Sequence, residues 1–465
     1  SYFEKRGNKM SKQQTDLGKD KIGSLLFKLA LPSICAQIIN LLYNMIDRMY
    51  IGHIKNIGPS ALTGVGVAMP VIVFAALVSM GGAPLASINM GKGDKEKAEN
   101  ILGNCTTMLI LTALILTSIF LVFGRKIMML FGASENTIEY AWLYMKIYSL
   151  GTIFVQLALG LNAFINAQGF SKIGMTTVAI GAVCNIILDP IMIYGLLGCP
   201  KFGVKGAAYA TVIGQIISLA VAFVFHIKFN KDITNNVKNI KPSANTILNI
   251  YKIGLPAIIA QALMSVMTYG FNLILGTVSE AMVTAYGLYY KIQQFILFAA
   301  FGLRDAITPI MSYAFGMKSK KRIDDSIKFG SIYTTVIMFV GLAVIEIIAN
   351  PLSSAFGLSG ETQLLCIGAM RIVSASFIFA GINIAFQGMF QAINGGMQSL
   401  IVSVCRQLVF VLPLAWIFTV LVNKSICGEW IIWLSVPVAE ILSAVISVVL
   451  MKKLYQKQIN NKTEA

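Results

Sequence analysis

The segment LALPSICAQIINLLYNMIDRMYIG (29–52) decides the fold, because it recurs later in the chain as IGLPAIIAQALMSVMTYGFNLILG (253–276). The proline, the Ala-Gln pair and the final glycine all repeat at an offset of 224 residues. Each copy is a predominantly apolar run that is long enough to cross a bilayer as a helix. The chain therefore predicts two membrane-spanning halves of common design, and the first copy carries an acid, Asp47, inside its apolar run.

The composition indicates an integral membrane protein. Of the 465 residues, 56% are hydrophobic and 12% are charged, and the mean hydropathy is +0.74, whereas soluble domains are about a quarter charged. The twelve predicted spans are, approximately, 25–52, 62–90, 101–123, 138–168, 175–197, 206–227, 247–276, 281–315, 329–349, 362–394, 399–422 and 430–451. The predicted fold class is all-α, with twelve transmembrane helices in two pseudo-symmetric six-helix lobes.

The distribution of Lys and Arg predicts the orientation. These residues concentrate in alternate loops and in both tails, which predicts that both termini lie in the cytoplasm. The predicted location is the cell inner (cytoplasmic) membrane, which the chain crosses many times. Because each half has six spans, the halves are parallel repeats, and repeats of this kind place a binding site between them. No cleavable signal peptide is evident. The predicted domains are a cytoplasmic tail (1–24), an N-lobe (25–227), a cytoplasmic linker (228–246), a C-lobe (247–451) and a second cytoplasmic tail (452–465).

Several classes of function are disfavoured. The net charge of +17 comes from residues in short loops between spans, which argues against a nucleic-acid partner. The seven cysteines fit small buried hydrophobes, and His53 and His226 lack ligand-spaced partners for zinc. The segment GKGD (91–94) lacks the rest of a phosphate-binding loop, so an ion gradient rather than ATP would drive transport. We therefore predict no enzymatic activity and no cofactor beyond a coupling Na⁺ or H⁺.

Two acids inside the apolar spans predict a cation site. An intramembrane carboxylate is costly, which makes Asp47 and Asp189 functional candidates by default. Counted at 1.5 Å per residue, both acids and Thr211 fall in one outer-leaflet layer of the N-lobe, and Asn185 lies one helical turn before Asp189. Their oxygens suit Na⁺, or a proton, since crowding and burial favour the protonated form of one carboxyl.

Structural roles for the same four residues stay open. Asp47 could reach the nearby outer interface or pair with a basic group, and the Asp-Pro step at Asp189 could end a helix. Asn185 and Thr211 could hydrogen-bond between helices, as such residues commonly do in membranes.

Other polar and soft side chains are candidates for a substrate cavity. Three of them lie on the Asp47 face of the first span, where they could also hydrogen-bond the acid or simply pack. The 22 methionines and 16 tyrosines suit a soft cavity for aromatic cations, although ordinary packing must explain most of them. The candidates are Asn40, Tyr43, Asn44, Met264 and Tyr269.

The second half does not repeat the acids. At the repeat offset Asp47 corresponds to Phe271, and alignment of Pro190 with Pro413 sets Leu412 against Asp189. Cation coupling is therefore predicted to reside in the N-lobe.

Charged residues inside the spans of the second half have separate interpretations. Arg406 and Glu440 could form an ion pair or could meet substrate. Arg304 and Asp305 are adjacent and 100° apart on a helix, so we expect them not to share one narrow face, and no role is assigned.

Several segments of the chain resemble a known family. The segments LPS (31–33) with NMIDRMYIG (44–52), NIILDPIMIYGLLG (185–198) followed by GVKGAAYATVIGQ (203–215), and MGKGDKEKA (90–98) resemble the multidrug and toxic compound extrusion (MATE) family, in particular its bacterial MepA-like branch. The resemblance covers about residues 20 to 455. It implies a V-shaped pair of six-helix lobes that alternate access and expel cationic, often aromatic compounds in exchange for inward Na⁺ or H⁺.

The resemblance also implies roles for particular residues. The family's cation-coupling site carries over onto Asp47, Asn185, Asp189 and Thr211. Pro32 matches a proline that is linked to bending of the first helix, although here it could merely start that helix. Asn162 corresponds to a cavity asparagine, but its predicted depth towards the cytoplasm ranks it lower.

The leading hypothesis is a secondary active multidrug antiporter. Its partners would be small-molecule drugs or toxic organic cations and membrane lipids, and we expect a monomer. The alternative is a lipid-linked precursor flippase of the related exporter superfamily, which would need a cationic cavity. A membrane-embedded enzyme would need a His, Ser or metal constellation within the spans, and a receptor scaffold would not need two acids at matched depth.

Overall fold

The computed structural model describes residues 15–54, 68–130, 134–135, 137–228, 233, 241–355 and 357–460. Parts of four predicted elements lie outside the described residues: the first fourteen residues of the N-terminal tail, the start of the second span, most of the linker and the last five residues of the C-terminal tail. In chain order the helices are α1 Ile22–Gly52, α2 Ala68–Gly91, α3 Lys95–Leu130, α4 Ile138–Ala167, α5 Ser171–Tyr194, α6 Val204–Lys228, α7 Ala244–Gly276, α8 Glu280–Gly316, α9 Lys320–Ala355, α10 Gly360–Ser374, α11 Phe377–Ala392, α12 Gly396–Val404, α13 Val411–Asn423, α14 Trp430–Trp433 and α15 Ser435–Tyr455.

The structure confirms the all-α membrane fold. Within the described residues, ten helices are long and apolar enough to cross a bilayer, and the count is eleven if α10 and α11, which are bent by 53° relative to each other, form one broken span. The described part of the second predicted span is α2. A π-helical segment, Cys405–Phe410, joins α12 to α13 within one long span.

The chain forms two compact units. Unit 1 consists of the described parts of Ser1–Asp20 and Leu31–Gly254, and unit 2 consists of Lys21–Ala30 and the described parts of Leu255–Ala465. Two of the boundaries fall directly before Leu31 and Leu255, which precede Pro32 and Pro256, the prolines that the sequence repeat relates. The predicted lobe limits themselves remain a prediction.

In unit 1, glycines let α5 and α6 pack with their backbones in contact. A Cβ atom built on Gly181 would lie 3.0 Å from the Gly214 carbonyl oxygen, and one built on Gly214 would lie 2.8 Å from the Gly181 carbonyl oxygen. Small residues at such crossings allow membrane helices to approach closely. Asn185 lies one turn beyond Gly181, and Thr211 lies one turn before Gly214, so this approach brings their side chains together.

We expect Gly214→Val to lower the thermal stability of the protein in detergent. The new side chain would collide with the Gly181 carbonyl and with Cβ of Asn185, which lies 3.2 Å from the position of the added Cβ. Overpacking of this kind costs roughly 1–3 kcal/mol. The matched control is Gly287→Val, because a Cβ at Gly287 meets nothing within 4 Å. Equal melting temperatures in the two variants would contradict the close-packing argument.

Candidate functional site

The structure brings Asp47, Asn185, Asp189 and Thr211 together inside unit 1. They come from α1, α5 and α6, and the exposed fractions of Asp47, Asn185, Asp189 and Thr211 are 4%, 1%, 0% and 5%. Asp47 is thus enclosed by protein rather than exposed at an interface. Asp189 and Pro190 lie within α5, which continues to Tyr194, so the Asp-Pro step does not end the helix.

The two carboxyl groups interact directly. The side chains of Asp47 and Asp189 lie within hydrogen-bonding range of each other. One oxygen of each, Oδ1, is buried and has no hydrogen-bond partner among the residues that the structure describes. Two ionised carboxylates at this separation repel in a poorly solvated site. Either one proton shared between the two carboxyl groups or a small cation coordinated by their free oxygens would relieve this repulsion.

Asn185 orients the second acid. With its amide placed to suit both neighbours, Asn185 donates from its side-chain nitrogen to Asp189 Oδ2 at 3.0 Å and accepts from the Thr211 backbone N–H at 3.0 Å. The Thr211 hydroxyl donates to the Ala207 carbonyl oxygen at 3.0 Å. These bonds tie α5 to α6 and hold the Asp189 carboxyl in a defined position.

A group of tyrosines surrounds the acids. Tyr43, Tyr144 and Tyr148 all lie close enough to Asp47 to interact with it electrostatically. The rings of Tyr144 and Tyr148 stack at 6.0 Å between centroids. The sequence analysis proposed Tyr43 but missed the two tyrosines of α4. Their i, i+4 spacing in a span at the same depth was an available signal.

The chemistry of this site is that of hard oxygen donors. Carboxylate, amide and hydroxyl oxygens suit Na⁺ or a proton, and soft transition metals prefer other ligands. Within the described residues, no group of three or more His, Cys, Asp or Glu side chains could hold a metal ion. The donors fit an exchangeable ion better than a resident metal.

Pro32 lies inside a helix. α1 begins at Ile22, ten residues before it, so Pro32 does not start the helix. A proline at an interior position removes one backbone hydrogen bond and weakens the helix there.

The other cavity candidates lie at separate places. Asn40 and Asn44 are exposed, and the Asn44 side chain donates to the Asn40 carbonyl oxygen at 2.6 Å. Asn162 donates to the Gly174 carbonyl oxygen at 2.9 Å and bonds the Thr177 hydroxyl, so its amide ties α4 to α5. Met264, half-buried, lines a crevice in unit 2, whereas Tyr269 is 68% exposed.

The counterpart positions in unit 2 carry apolar packing. Phe271 is fully buried, and its ring lies 4.8 Å from that of Tyr286, which stacks on Trp433 at 6.4 Å. Leu412 packs against the same cluster and contacts Gly270. Unit 2 therefore fills with hydrophobic side chains the places where unit 1 holds its two acids.

Unit 2 holds its charged residues elsewhere. Arg406 Nε donates to Glu440 Oε1 at 2.5 Å, which makes a buried ion pair. Arg304 donates from Nε and Nη2 to Asp305 Oδ1 at 3.0 and 2.9 Å. The two residues still project about 100° apart from the helix, and the long guanidinium side chain bridges this angle, which is a pairing that the sequence analysis did not predict.

The fold and the site define a class of protein: a multi-pass helical membrane transporter with an internal repeat and a pair of interacting buried acids, Asp47 and Asp189, in its first half. The MatE family model matches the chain twice, over residues 32–191 and 256–417, and its two starts are 224 residues apart, which confirms the internal repeat. The chain belongs to the MatE family, a family of transporters rather than enzymes, and the predicted resemblance is confirmed.

Known relatives agree along almost the whole chain. The Multidrug export protein MepA of Staphylococcus haemolyticus (strain JCSC1435) is 26% identical over 440 residues, which is 94% of each chain. A crystal structure of MATE in the straight conformation matches with a TM-score of 0.87 and 22% identity, covering 95% of this chain and 98% of that one. A MOP superfamily transporter from Pyrococcus furiosus Vc1 (DSM3638) matches with a TM-score of 0.85 and 22% identity, covering 95% and 97%. The structural matches establish the fold.

Proposed function

We propose that this protein is a secondary active multidrug efflux antiporter, which exports organic, cationic aromatic compounds in exchange for inward Na⁺ or H⁺ by alternating access. The observation that carries the proposal is the contact between Asp47 and Asp189, with a free buried oxygen on each. Relatives named multidrug export proteins support the export of drugs. In this proposal the protein is a monomer of the cell inner membrane with both termini in the cytoplasm.

The coupling cycle follows from the charge of this pair. When one proton or one Na⁺ binds, the repulsion between the carboxyls disappears and the site can close. When the ion leaves, the repulsion returns and favours a different packing of α1 against α5. A ligand shifts such an equilibrium only by its differential affinity for the two states. The ion and the drug are therefore coupled if each prefers a different packing of α1.

The experiment is efflux of ethidium, an aromatic cation, from proteoliposomes under a sodium gradient alone and under a pH gradient alone. We expect one of the two gradients to drive export against the drug gradient. If neither gradient did so, the antiporter proposal would be wrong. The identity of the driving gradient assigns the coupling ion.

Pro32 is proposed to be the point at which α1 bends during the cycle. We expect Pro32→Ala to raise or preserve the melting temperature, because it restores a helix hydrogen bond, while ethidium efflux falls. A distance measurement by spin labels on the two halves of α1 should then show a single population. Undiminished efflux with a straight α1 would remove bending from the mechanism.

A lipid-linked precursor flippase is the second candidate, favoured by the two arginines that line a crevice in unit 2. A flippase would translocate a fluorescent lipid pyrophosphate between leaflets in the same proteoliposomes. Translocation of that lipid without ethidium export would favour this candidate over the antiporter.

A further inference from the structure

Unit 2 contains a polar crevice that the coupling site does not use. Its lining combines two arginines with four glutamines and a few apolar side chains: Ala257, Ala260, Gln261, Met264, Phe301, Arg304, Gln387, Gln391, Arg406 and Gln407. Both arginines are at most 9% exposed. Arg304 lies twelve residues before the end of α8, and Arg406 lies ten residues after the start of α12, which puts both about 15–18 Å inside their spans. Charges at such depth are costly and mark function by default.

The acidic partners stand behind the arginines and leave the lining positive. Neither Asp305 nor Glu440 lines the crevice. Glu440 receives Arg406 Nε on one oxygen and the Asn383 amide on the other at 2.9 Å. Among the described residues, Arg406 hydrogen-bonds through Nε, and its two terminal amino groups remain available to a ligand.

Arg304 is held in place from three sides. Its Nε and Nη2 donate to Asp305, and its guanidinium lies 5.0 Å from the centroid of the Phe301 ring. Its aliphatic stem runs along Gly388, where an added Cβ would come within 2.6 Å of Cγ. These contacts fix the position of the Arg304 guanidinium at the crevice before a ligand binds.

A π-helical segment and an unpaired hydrogen-bond acceptor also lie at the crevice. Arg406 and Gln407 both belong to the π-helical segment Cys405–Phe410, and short π segments in helices occur frequently at functional sites. Gln407 is 3% exposed, and its Oε1 is buried without a hydrogen-bond partner among the described residues. A hydrogen-bond donor on a ligand, or on a water bound with it, would satisfy this oxygen, and an anionic group beside it would pair with the arginines.

We propose that this crevice binds the carboxylate group of a zwitterionic compound, so that unit 2 selects substrates by their anionic group. The planar guanidinium fork matches a carboxylate in two parallel hydrogen bonds. The neutral glutamines add donors without adding charge, which suits a singly charged group better than a pyrophosphate. The transport part of this proposal rests on the proposed antiporter, whereas the binding part does not.

The test compares rhodamine B, which has a cationic ring system and a free carboxylate, with rhodamine B methyl ester. Binding of each dye to the purified protein in detergent is measured by fluorescence polarisation. We expect the acid to bind about tenfold or more tightly than the ester, as charge-assisted hydrogen bonds predict. The pair-neutral variant Arg406→Gln/Glu440→Gln should remove this preference and leave the ester affinity unchanged.

Arg304→Gln provides a second variant in case the first is poorly folded, and Arg371→Gln is its matched control. Arg371 also has an acidic neighbour in unit 2, Glu346 at 3.8 Å, but it is half exposed and lies outside the crevice. We expect Arg304→Gln to lower the acid-to-ester ratio and Arg371→Gln to leave it unchanged. If the ratio stays at its wild-type value in both crevice variants, the proposal is overturned.

Competing anions identify the class of ligand. Sodium benzoate should displace rhodamine B, whereas the same concentration of sodium chloride should not. Equal displacement by chloride would make this a small-anion site and would overturn the carboxylate assignment, as would displacement by a soluble pyrophosphate alone. If a gradient drove export of the methyl ester while the acid-to-ester affinity ratio stayed at its wild-type value in the crevice variants, this inference would be wrong and the antiporter proposal would be supported. If the crevice selected the acid over the ester but neither dye was exported, the binding inference would be supported and the antiporter proposal would be contradicted.

Discussion

In Asp47→Asn and in Asp189→Asn, we expect gradient-driven efflux to fall to the level of protein-free liposomes. Either amide removes the charge whose repulsion a proton or Na⁺ relieves, so ion and drug lose their coupling. Coupling free energies between sites are about 1–3 kcal/mol, or about 5- to 150-fold in affinity. Ethidium binding to the purified variants should persist, because the change affects the driving reaction rather than the fold. The measurement is initial efflux under each gradient beside equilibrium binding.

The double variant makes this prediction sharper. Since the two carboxyls interact directly, they act as one unit, and groups that act as a unit are strongly non-additive. In Asp47→Asn/Asp189→Asn, the loss of coupling free energy, measured as the effect of the ion on ethidium affinity, should therefore be no greater than in either single variant. The matched control is Glu139→Gln, which removes an acid of unit 1 whose carboxylate pairs with Arg125 at 2.6 Å on the surface. Wild-type efflux in both single variants would exclude this pair as the coupling site.

Arg406→Gln is expected to give the largest loss of stability. It leaves Glu440 buried without its cation, and breaking a buried ion pair from one side costs about 3–5 kcal/mol. Thermal unfolding in detergent, followed by tryptophan fluorescence, should show a markedly lower melting temperature. The paired variant Arg406→Gln/Glu440→Gln should recover most of the loss, because two amides can hydrogen-bond each other without a net charge.

An exposed ion pair provides the comparison. Arg125 and Glu139 have side chains that are 57% and 59% exposed, and such pairs contribute about 0–1 kcal/mol. Arg125→Gln should therefore leave the melting temperature nearly unchanged. If Arg406→Gln were equally mild, water, a proton or another cation would have to compensate the Glu440 carboxylate, and the pair would carry no structural role.

The predictions from sequence succeeded where one physical rule dominates. Apolar length alone determines where a helix can cross a bilayer, so the spans and the fold class were predictable, and the offset between Pro32 and Pro256 recurs in the two family matches. The four residues of the candidate cation site were grouped by depth, because helix rise is constant. Tyr144 and Tyr148 were missed, since depth does not tell which face of a helix meets its neighbour.

The contacts that the sequence did not predict depend on side-chain length and on packing between helices. Arg304 and Asp305 were separated by their helix positions, yet a long side chain joins them. Arg406 and Glu440 were left with two interpretations, because 34 residues of chain lie between them and only packing brings them together. The crevice glutamines gave no signal in sequence, since each one by itself is an ordinary polar residue of a membrane helix.

By itself, the sequence determined a repeated membrane fold whose second half does not repeat Asp47 and Asp189. These acids could be identified from sequence because a charge inside a bilayer is costly, so each one within an apolar span stands out. Tertiary structure decided which of these charges meet. It set Asp47 against Asp189 with a free oxygen on each, and it turned Arg304 and Arg406 towards one crevice with their acids behind them. Helix rotation and the close approach at Gly181 and Gly214 control those contacts, and neither is determined by spacing along one helix.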